Sequence, residues 1–215
     1  MSVWAVVVAA GSGRRFGGFK QYELLADRLV VDWAVAAART VADGVVLVAP
    51  PERLRAGDEP VDALVGGGAS RSASARAGLA AVPEAAEIVV VHDAARPLAS
   101  PDLFATVVAA VRGGADGAVP GLPVTDTVKQ VRDGTVVATL DRSALVAVQT
   151  PQAFRASLLR RAHAAGGEAT DDAALVEAVG GRVVVVTGDR ANVKLTSLED
   201  LAHAEQRVVG GHANR

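Results

Sequence analysis

The chain contains no cysteine, so disulfides, thiolate metal sites and thiol nucleophiles are all excluded. It also lacks an excess of either charge, since 22 Lys and Arg against 24 Asp and Glu leave a formal net charge of −2. Proteins that bind nucleic acid or an anionic membrane surface carry a basic face or run. Its absence predicts no nucleic-acid or membrane partner, and any nucleotide handled here is expected to be a small molecule. Long apolar runs are missing as well. The run from Val3 to Ala10 gives way to glycine and arginine, too short for a secretory core or a membrane span, so a soluble cytoplasmic protein is expected. There is no internal repeat and no low-complexity linker. What remains is 215 residues, 50% of them hydrophobic, which suffice to bury a core around one sheet and predict a single domain over 1–215.

Short valine-rich runs alternate with longer helical patterns. Val3 to Ala9, Val45 to Ala49, Ile88 to His92 and Val183 to Thr187 read as buried strands. Leu29 to Thr40, Ser72 to Val82, Pro101 to Arg112, Arg155 to Ala164 and Asp171 to Val179 have helical composition and length. Ser100 before Pro101 is a helix start, because proline lacks an amide that the first turn would leave unpaired. Thr170 before Asp171 and Asp172 is a second start, with two acids at the positive end of the helix dipole, and Ser197 with Asp200 forms a capping box. Continuous apolar strands separated by helices predict an α/β, Rossmann-like three-layer αβα sandwich whose mostly parallel sheet binds ligands at its carboxyl ends. Pro50 to Pro60 reads as a surface connection, and Val146 to Val148 as core. One segment departs from the alternation. Thr127 to Val131 and Thr135 to Leu140 flank Asp133-Gly134, a strong hairpin signal. The hairpin, within an arm at about 123–148, must project or lie along an edge. A second copy of the chain is the expected cover.

The first strand runs into AAGSGRRFGGFKQ, residues 9–21. Gly11 and Gly13 let backbone amides approach an anion, while Arg14, Arg15 and Lys20 supply the charge a triphosphate needs. A dinucleotide fingerprint requires glycine where Phe16 stands, and a P-loop requires Gly-Lys-Ser/Thr; neither pattern is met. The third strand ends in VHDAARP, which puts Asp93 and Arg96 at its carboxyl tip. Asp93 there suits a magnesium ion shared with substrate phosphates, or a cap or ion pair with Arg96. His92 reads as a hydrogen-bonded core residue. Val65 to Leu79 sets glycines before a helix opening on serines and arginine, which suits either an anion or polar ring, or an ordinary cap. GDRANVKLT offers Asn192 and Lys194 beyond the last strand, where a lone lysine is usually a solvated charge.

Together these residues resemble the cytidylyltransferases of the non-mevalonate isoprenoid pathway, which join CTP to methylerythritol phosphate. The resemblance covers nearly the whole chain. It rests on AAGSGRR with Lys20-Gln21, on the spacing of Gly67-Gly68, Arg71, Ser74 and Gly78-Leu79, on VHDAARP, on Asp126-Thr127 with Lys129, and on QTPQAF, TDDA and NVKLTSLEDL. It implies that Ala9, Ala10, Gly11, Ser12 and Gly13 wrap the triphosphate, with Arg15 and Lys20 as catalytic cations and Lys194 as another near the α-phosphate. It further implies that Gly67, Arg71 and Ser74 hold cytosine and ribose and that Asp93 binds nucleotide and Mg2+. Thr127 and Arg142 on the arm would reach across a homodimer to the sugar phosphate, beside Arg96, Thr150 and Thr170. The chain departs from the family at Phe19, where proline usually precedes the lysine, and its loop between Arg15 and Lys20 is short.

The implied reaction is in-line attack of a sugar-phosphate oxygen on the CTP α-phosphorus. The nucleophile is already anionic near neutral pH, so alignment and charge neutralisation suffice without a base or a covalent intermediate. Ribitol 5-phosphate cytidylyltransferases share the same motifs; Ala95, where that family favours a bulkier residue, points to methylerythritol phosphate. A non-catalytic nucleotide sensor on the same fold is the rival from another class, and it need not keep Arg15, Lys20, Asp93 and Lys194 together.

Overall fold

The computed structural model describes residues 1–13, 16–54 and 57–212. In chain order the elements are β1 (Val3–Val8), a short pair β2 (Leu24–Leu25) and β3 (Arg28–Leu29), α1 (Val30–Arg39), β4 (Gly44–Ala49), β5 (Ala63–Gly66), α2 (Arg71–Ala80), β6 (Ile88–Asp93) and α3 (Pro101–Arg112). There follow β7 (Gly117–Pro123), β8 (Lys129–Arg132), β9 (Thr135–Thr139), β10 (Val146–Val148), β11 (Gln152–Arg155), α4 (Ala156–Ala164), α5 (Asp172–Ala178), β12 (Val183–Thr187) and α6 (Leu198–His212). Eight strands form one sheet in the order β10-β7-β11-β6-β1-β4-β5, with β12 on the other edge of β7. The pairs among β5, β4, β1 and β6 are parallel, whereas β11 runs antiparallel between β6 and β7.

The valine runs are continuous because side chains leave a strand on alternate faces and both faces here are covered. Val7, Leu47 and Val90 join Val35 of α1 and Phe104 of α3 in one core layer. Val6, Val48 and Val91 join Leu79 of α2, Leu159 of α4 and Val176 of α5 in the other. The three-layer α/β architecture read from the sequence is therefore present. α6 closes a smaller cluster, with Ala204 and Val208 against Leu25, Val30 and Leu195. From β1 the chain moves outward to β4 and β5 and then returns to β6 on the opposite side of β1. That reversal opens a crevice at the carboxyl ends of β1 and β6, where open α/β sheets place their ligands.

Ser100 caps α3 as expected, accepting the Leu103 N–H at 3.2 Å. Ser197 and Asp200 exchange reciprocal bonds at the start of α6. α5, however, is capped by Asp171, not Thr170: Asp171 has the extended backbone of an N-cap and its side chain accepts the Ala174 N–H, three residues on, at 3.0 Å. Val146 to Val148 are not core. They form β10, an edge strand on which Val146 and Val148 stay about 40% exposed. The hairpin is a separate two-stranded sheet of β8 and β9, and its central residues Asp133 and Gly134 both have positive φ, as a type I′ turn requires. No described helix is long and apolar enough to cross a membrane.

Candidate active site

The crevice holds a cavity of about 580 Å³. Its rim is the loop after β1. The Ala9 N–H continues the sheet by donating to Val48 at 2.8 Å, and the chain then turns through Gly13, whose φ of +61° favours glycine. A Cβ at Gly13 would lie 1.8 Å from the Gly18 carbonyl oxygen, so the turn excludes side chains on steric grounds as well. The buried Gln21 carboxamide donates to the carbonyls of both Ala9 and Gly11. Engaging these oxygens as acceptors weakens their repulsion of an incoming phosphate. Ala9 to Gly13 and Lys20 all line the cavity. Arg15, like Arg14, lies outside the described residues.

The opposite wall comes from β5 and α2. Gly67 packs so closely behind the loop that a Cβ would lie 2.1 Å from Ala10 Cβ, and the lining itself begins at Gly68. Ser74 Oγ donates to the Ser70 carbonyl at 2.8 Å and accepts from the Gly68 N–H at 3.1 Å, which fixes the turn into α2. Ser70 is the N-cap, accepting from the Ala73 N–H.

Between these walls stands Asp93, 7% exposed at the end of β6. One carboxylate oxygen receives Arg71 Nε at 3.1 Å and the other Lys194 Nζ at 2.7 Å. The ion pair with Arg96 that the sequence allowed is replaced by these two, each from a residue distant in the chain. Burial pushes the Asp93 carboxyl up, but Arg71 and Lys194 outweigh it and hold the group well below the usual carboxylate range. Burial likewise opposes the charge of Arg71, and Asp93 with Asp172 more than restores it. Arg96 donates instead to the Asn192 carbonyl at 2.7 Å, and its burial lowers its pKa.

Behind Asp93 lies a closed hydrogen-bond set. Thr150 Oγ1 accepts the Asp93 N–H at 3.0 Å and meets His92 Nδ1 at 3.2 Å, while His92 Nε2 meets the Arg96 carbonyl at 3.2 Å. A neutral ring protonated on Nε2 satisfies all three contacts. Burial agrees, pushing the His92 pKa down to about 4 against the pull of Asp93. The histidine is the core residue its sequence context indicated, and Thr150 supports Asp93 from outside the cavity lining. Gln149 and the fully buried Asn192 anchor the segment that carries Lys194: Gln149 Nε2 donates to the Asp189 carbonyl at 2.8 Å and Asn192 Nδ2 to the Thr150 carbonyl at 2.8 Å.

The fold thus gathers Ala9 to Gly13, Lys20, Arg71, Ser74, Asp93 and Lys194 around one cavity. All five residues assigned to the sugar phosphate lie off its lining, Arg96 being turned to Asn192 and Thr150 to Asp93 and His92. Thr127 and Arg142 are exposed on the arm, with Arg142 donating to the Thr125 carbonyl, and Thr170 is exposed before α5. Gln21 and Asp172 carry more of the site than the sequence indicated. Gln21 adjoins Lys20 but has no role that spacing alone reveals, and Asp172 reads as a dipole acid although its carboxylate turns to Arg71.

Fold and cavity define an α/β protein of the nucleotidyltransferase kind, with a glycine-rich loop bordering a cavity at the switch point of its sheet. Residues 3–209 match the family model of 2-C-methyl-D-erythritol 4-phosphate cytidylyltransferase (IspD). A protein of that name from Rubrobacter xylanophilus is 46% identical over 94% of this chain and 92% of its own length. The crystal structure of 2-C-methyl-D-erythritol 4-phosphate cytidylyltransferase from Thermus thermophilus is 36% identical, with a TM-score of 0.81 over 94% of this chain and 97% of that one. The bifunctional enzyme IspD/IspF of Nitratidesulfovibrio vulgaris is 45% identical over 94% of this chain, which spans only 57% of that relative's length. The chain belongs to the 2-C-methyl-D-erythritol 4-phosphate cytidylyltransferase family.

Proposed function

We propose that the protein transfers the cytidylyl group of CTP to 2-C-methyl-D-erythritol 4-phosphate, giving 4-diphosphocytidyl-2-C-methyl-D-erythritol and pyrophosphate in isoprenoid precursor biosynthesis. The observation that carries this reading is the Lys194–Asp93–Arg71 ion cluster facing a glycine-rich phosphate loop across one cavity. A sugar-phosphate oxygen forms a bond to the α-phosphorus while the bond to the β-phosphate oxygen breaks. The nucleophile is anionic, so no base is needed; His92 agrees with this, because both its nitrogens are engaged inside the protein. Arg15, Lys20 and Lys194 neutralise the charge that gathers on the phosphorus and the departing pyrophosphate. Lys194 suits this task, since its side chain is 39% exposed and, among the described residues, its ammonium pairs with Asp93, an arrangement that lets it swing onto a phosphate.

Asp93 fits a magnesium ion. It is an ionised carboxylate in the cavity wall, and Mg2+ is commonly held by one or two carboxylates together with substrate phosphates rather than by an all-protein cage. When bound, the ion supplies further charge neutralisation on the triphosphate. Among the described residues no cluster of three or more His, Asp or Glu side chains offers a self-sufficient cage, which also favours an ion shared with substrate.

The arm supports a homodimer. Val131, Val136, Val137 and Leu140 are exposed on it, and Val146 and Val148 are exposed on the edge strand β10. A second copy covering that surface would bring Thr127 and Arg142 toward its own cavity, where Arg96 and Thr170 complete the sugar-phosphate side. Two water-soluble substrates suit the cytoplasm. Ala95 lines the cavity, and its small side chain leaves room for the methyl branch of methylerythritol phosphate. The test is pyrophosphate release with CTP and Mg2+, using 2-C-methyl-D-erythritol 4-phosphate or ribitol 5-phosphate as acceptor. Release with the first alone is expected; preference for ribitol phosphate, or silence with both, overturns the reading.

A further inference from the structure

Arg71 is tied at two ends. Its Nε reaches Asp93 at 3.1 Å and its Nη1 reaches Asp172 at 2.8 Å, across 101 residues of chain. Asp172 has no exposed surface and is held in turn by His163 Nε2 at 2.9 Å, another buried side chain. Burial pushes the Asp172 carboxyl up, but the hydrogen bond from His163 and the charge of Arg71 prevail and keep it ionised. Two more bonds stitch the start of α2 to the segment before α5: Ser70 Oγ donates to Glu168 at 2.8 Å, and the Ala169 N–H donates to Ser72 Oγ at 3.2 Å. The Lys194 ammonium, by contrast, is held through Asp93 and is not bridged to a second carboxylate among the described residues. Arg71 is one of the residues lining the cavity, and its Nη2 is buried without a protein hydrogen-bond partner among the described residues.

These bonds divide the two cations that flank Asp93 into one fixed and one able to move. We propose that Asp172, backed by His163, is a positioning residue that locks Arg71 against Asp93, so that the carboxylate keeps its place in the CTP site when Lys194 turns to a phosphate. The inference rests on the cytidylyltransferase reading for its ligand, CTP. Asp172 touches neither the cavity nor the reacting atoms; it acts through Arg71. Without the second carboxylate, Arg71 keeps its charge but loses the bridge that sets its plane, and lysine, a point charge, cannot replace that bridge.

Equilibrium CTP binding by the full chain, measured by calorimetry, tests this alongside steady-state kinetics. Asp172→Asn is expected to weaken CTP about tenfold while the KM for the sugar phosphate changes less than about twofold. Arg71→Ala is expected to lose at least as much, and adding Asp172→Asn to Arg71→Ala to cost nothing more, because a residue acting through another is silent once that other is gone. Arg71→Lys should resemble Asp172→Asn. Unchanged CTP affinity in folded Asp172→Asn, equal loss for both substrates, or losses that add in full overturn the proposal. If Asp172→Asn does not fold, His163→Gln takes its place, with a several-fold loss in CTP affinity expected and wild-type affinity overturning the proposal. Should the unmodified protein bind CTP without transferring it to methylerythritol phosphate, the acceptor assignment falls and the positioning role stands on the binding data.

Discussion

A methyl group on residue 67 would collide with the Ala10 side chain at 2.1 Å and crowd Ser74 Oγ at 3.0 Å. Gly67→Ala must therefore part the phosphate loop from β5, and we expect at least a tenfold loss in CTP affinity with about 1–3 kcal/mol of stability, read by calorimetry and urea unfolding. A Gly67→Ala variant that binds CTP like the wild type would show that the loop can move without consequence. Lys20→Ala should leave the fold intact and lower kcat about 100-fold, the scale of a lost charge-stabilising donor, in a pyrophosphate-release assay. Near wild-type turnover would remove Lys20 from the chemistry. At this scale the sequence shows what neighbours can show: glycines, cations and a strand-end carboxylate lie within short, ordered motifs. The partners of Asp93 lie 22 and 101 residues away and Asp172 is a further 101 from Arg71, so no spacing rule links them. Asp93 alone is compatible with a cap, a surface pair or a metal site until the fold brings Arg71 and Lys194 to it.

Among the elements, the start of α6 makes its own case. One oxygen of Asp200 accepts from the Thr196 hydroxyl, the Thr196 N–H and the Ser197 N–H, all within 2.8 Å. These bonds, led by those from Thr196, pull its carboxyl down from 3.8 to about 2. A depressed carboxyl contributes stability that is complete above 3.8 and lost as pH falls through about 2. Asp200→Ala should therefore cost about 1 kcal/mol near neutrality, and the gap between variant and wild type in urea unfolding should close between about pH 4 and pH 2. A gap that persists at the acid end would assign the loss to packing. This box was legible because capping is local. β7 was not: its run GAVPGLP carries two glycines and two prolines, the usual marks of a loop, yet it pairs on both edges. Long-range pairing with β10, β11 and β12 overrides local propensity there. β10 misled in the opposite sense, since three apolar residues on an edge strand read as core when their exposed side awaits another surface.

Taken whole, the molecule leaves the arm and β10 with several exposed valines and a leucine close in sequence. The arm carries its apolar side chains in water, and a two-stranded sheet alone is marginally stable, so the proposed dimer and the arm stand or fall together. If the proposed dimer forms through the arm, the wild type should be dimeric in light scattering and Val131→Lys with Val136→Lys monomeric, with the KM for the sugar phosphate raised at least tenfold and CTP binding within about twofold. A dimer of unchanged mass would place the interface elsewhere. The three-layer architecture was readable from alternating runs, because burial on both faces imposes them; the exposed apolar edge at β10 was not, because a three-residue apolar run reads the same whether it is covered or not. The position of Lys194 has one more consequence. The other residues gathered around Asp93 and Arg71 are encoded before residue 173, whereas this lysine follows β12, in a segment anchored through Gln149 and Asn192. Because β12 pairs with β7 in the same sheet and Leu195 packs on Leu25 and Val30, the stretch that carries this lysine is also part of what holds the fold together. Ending the chain before Lys194 would leave Asp93 with Arg71 as its one cationic partner among the described residues, and would also strip Leu195, Ala204 and Val208 from Leu25 and Val30.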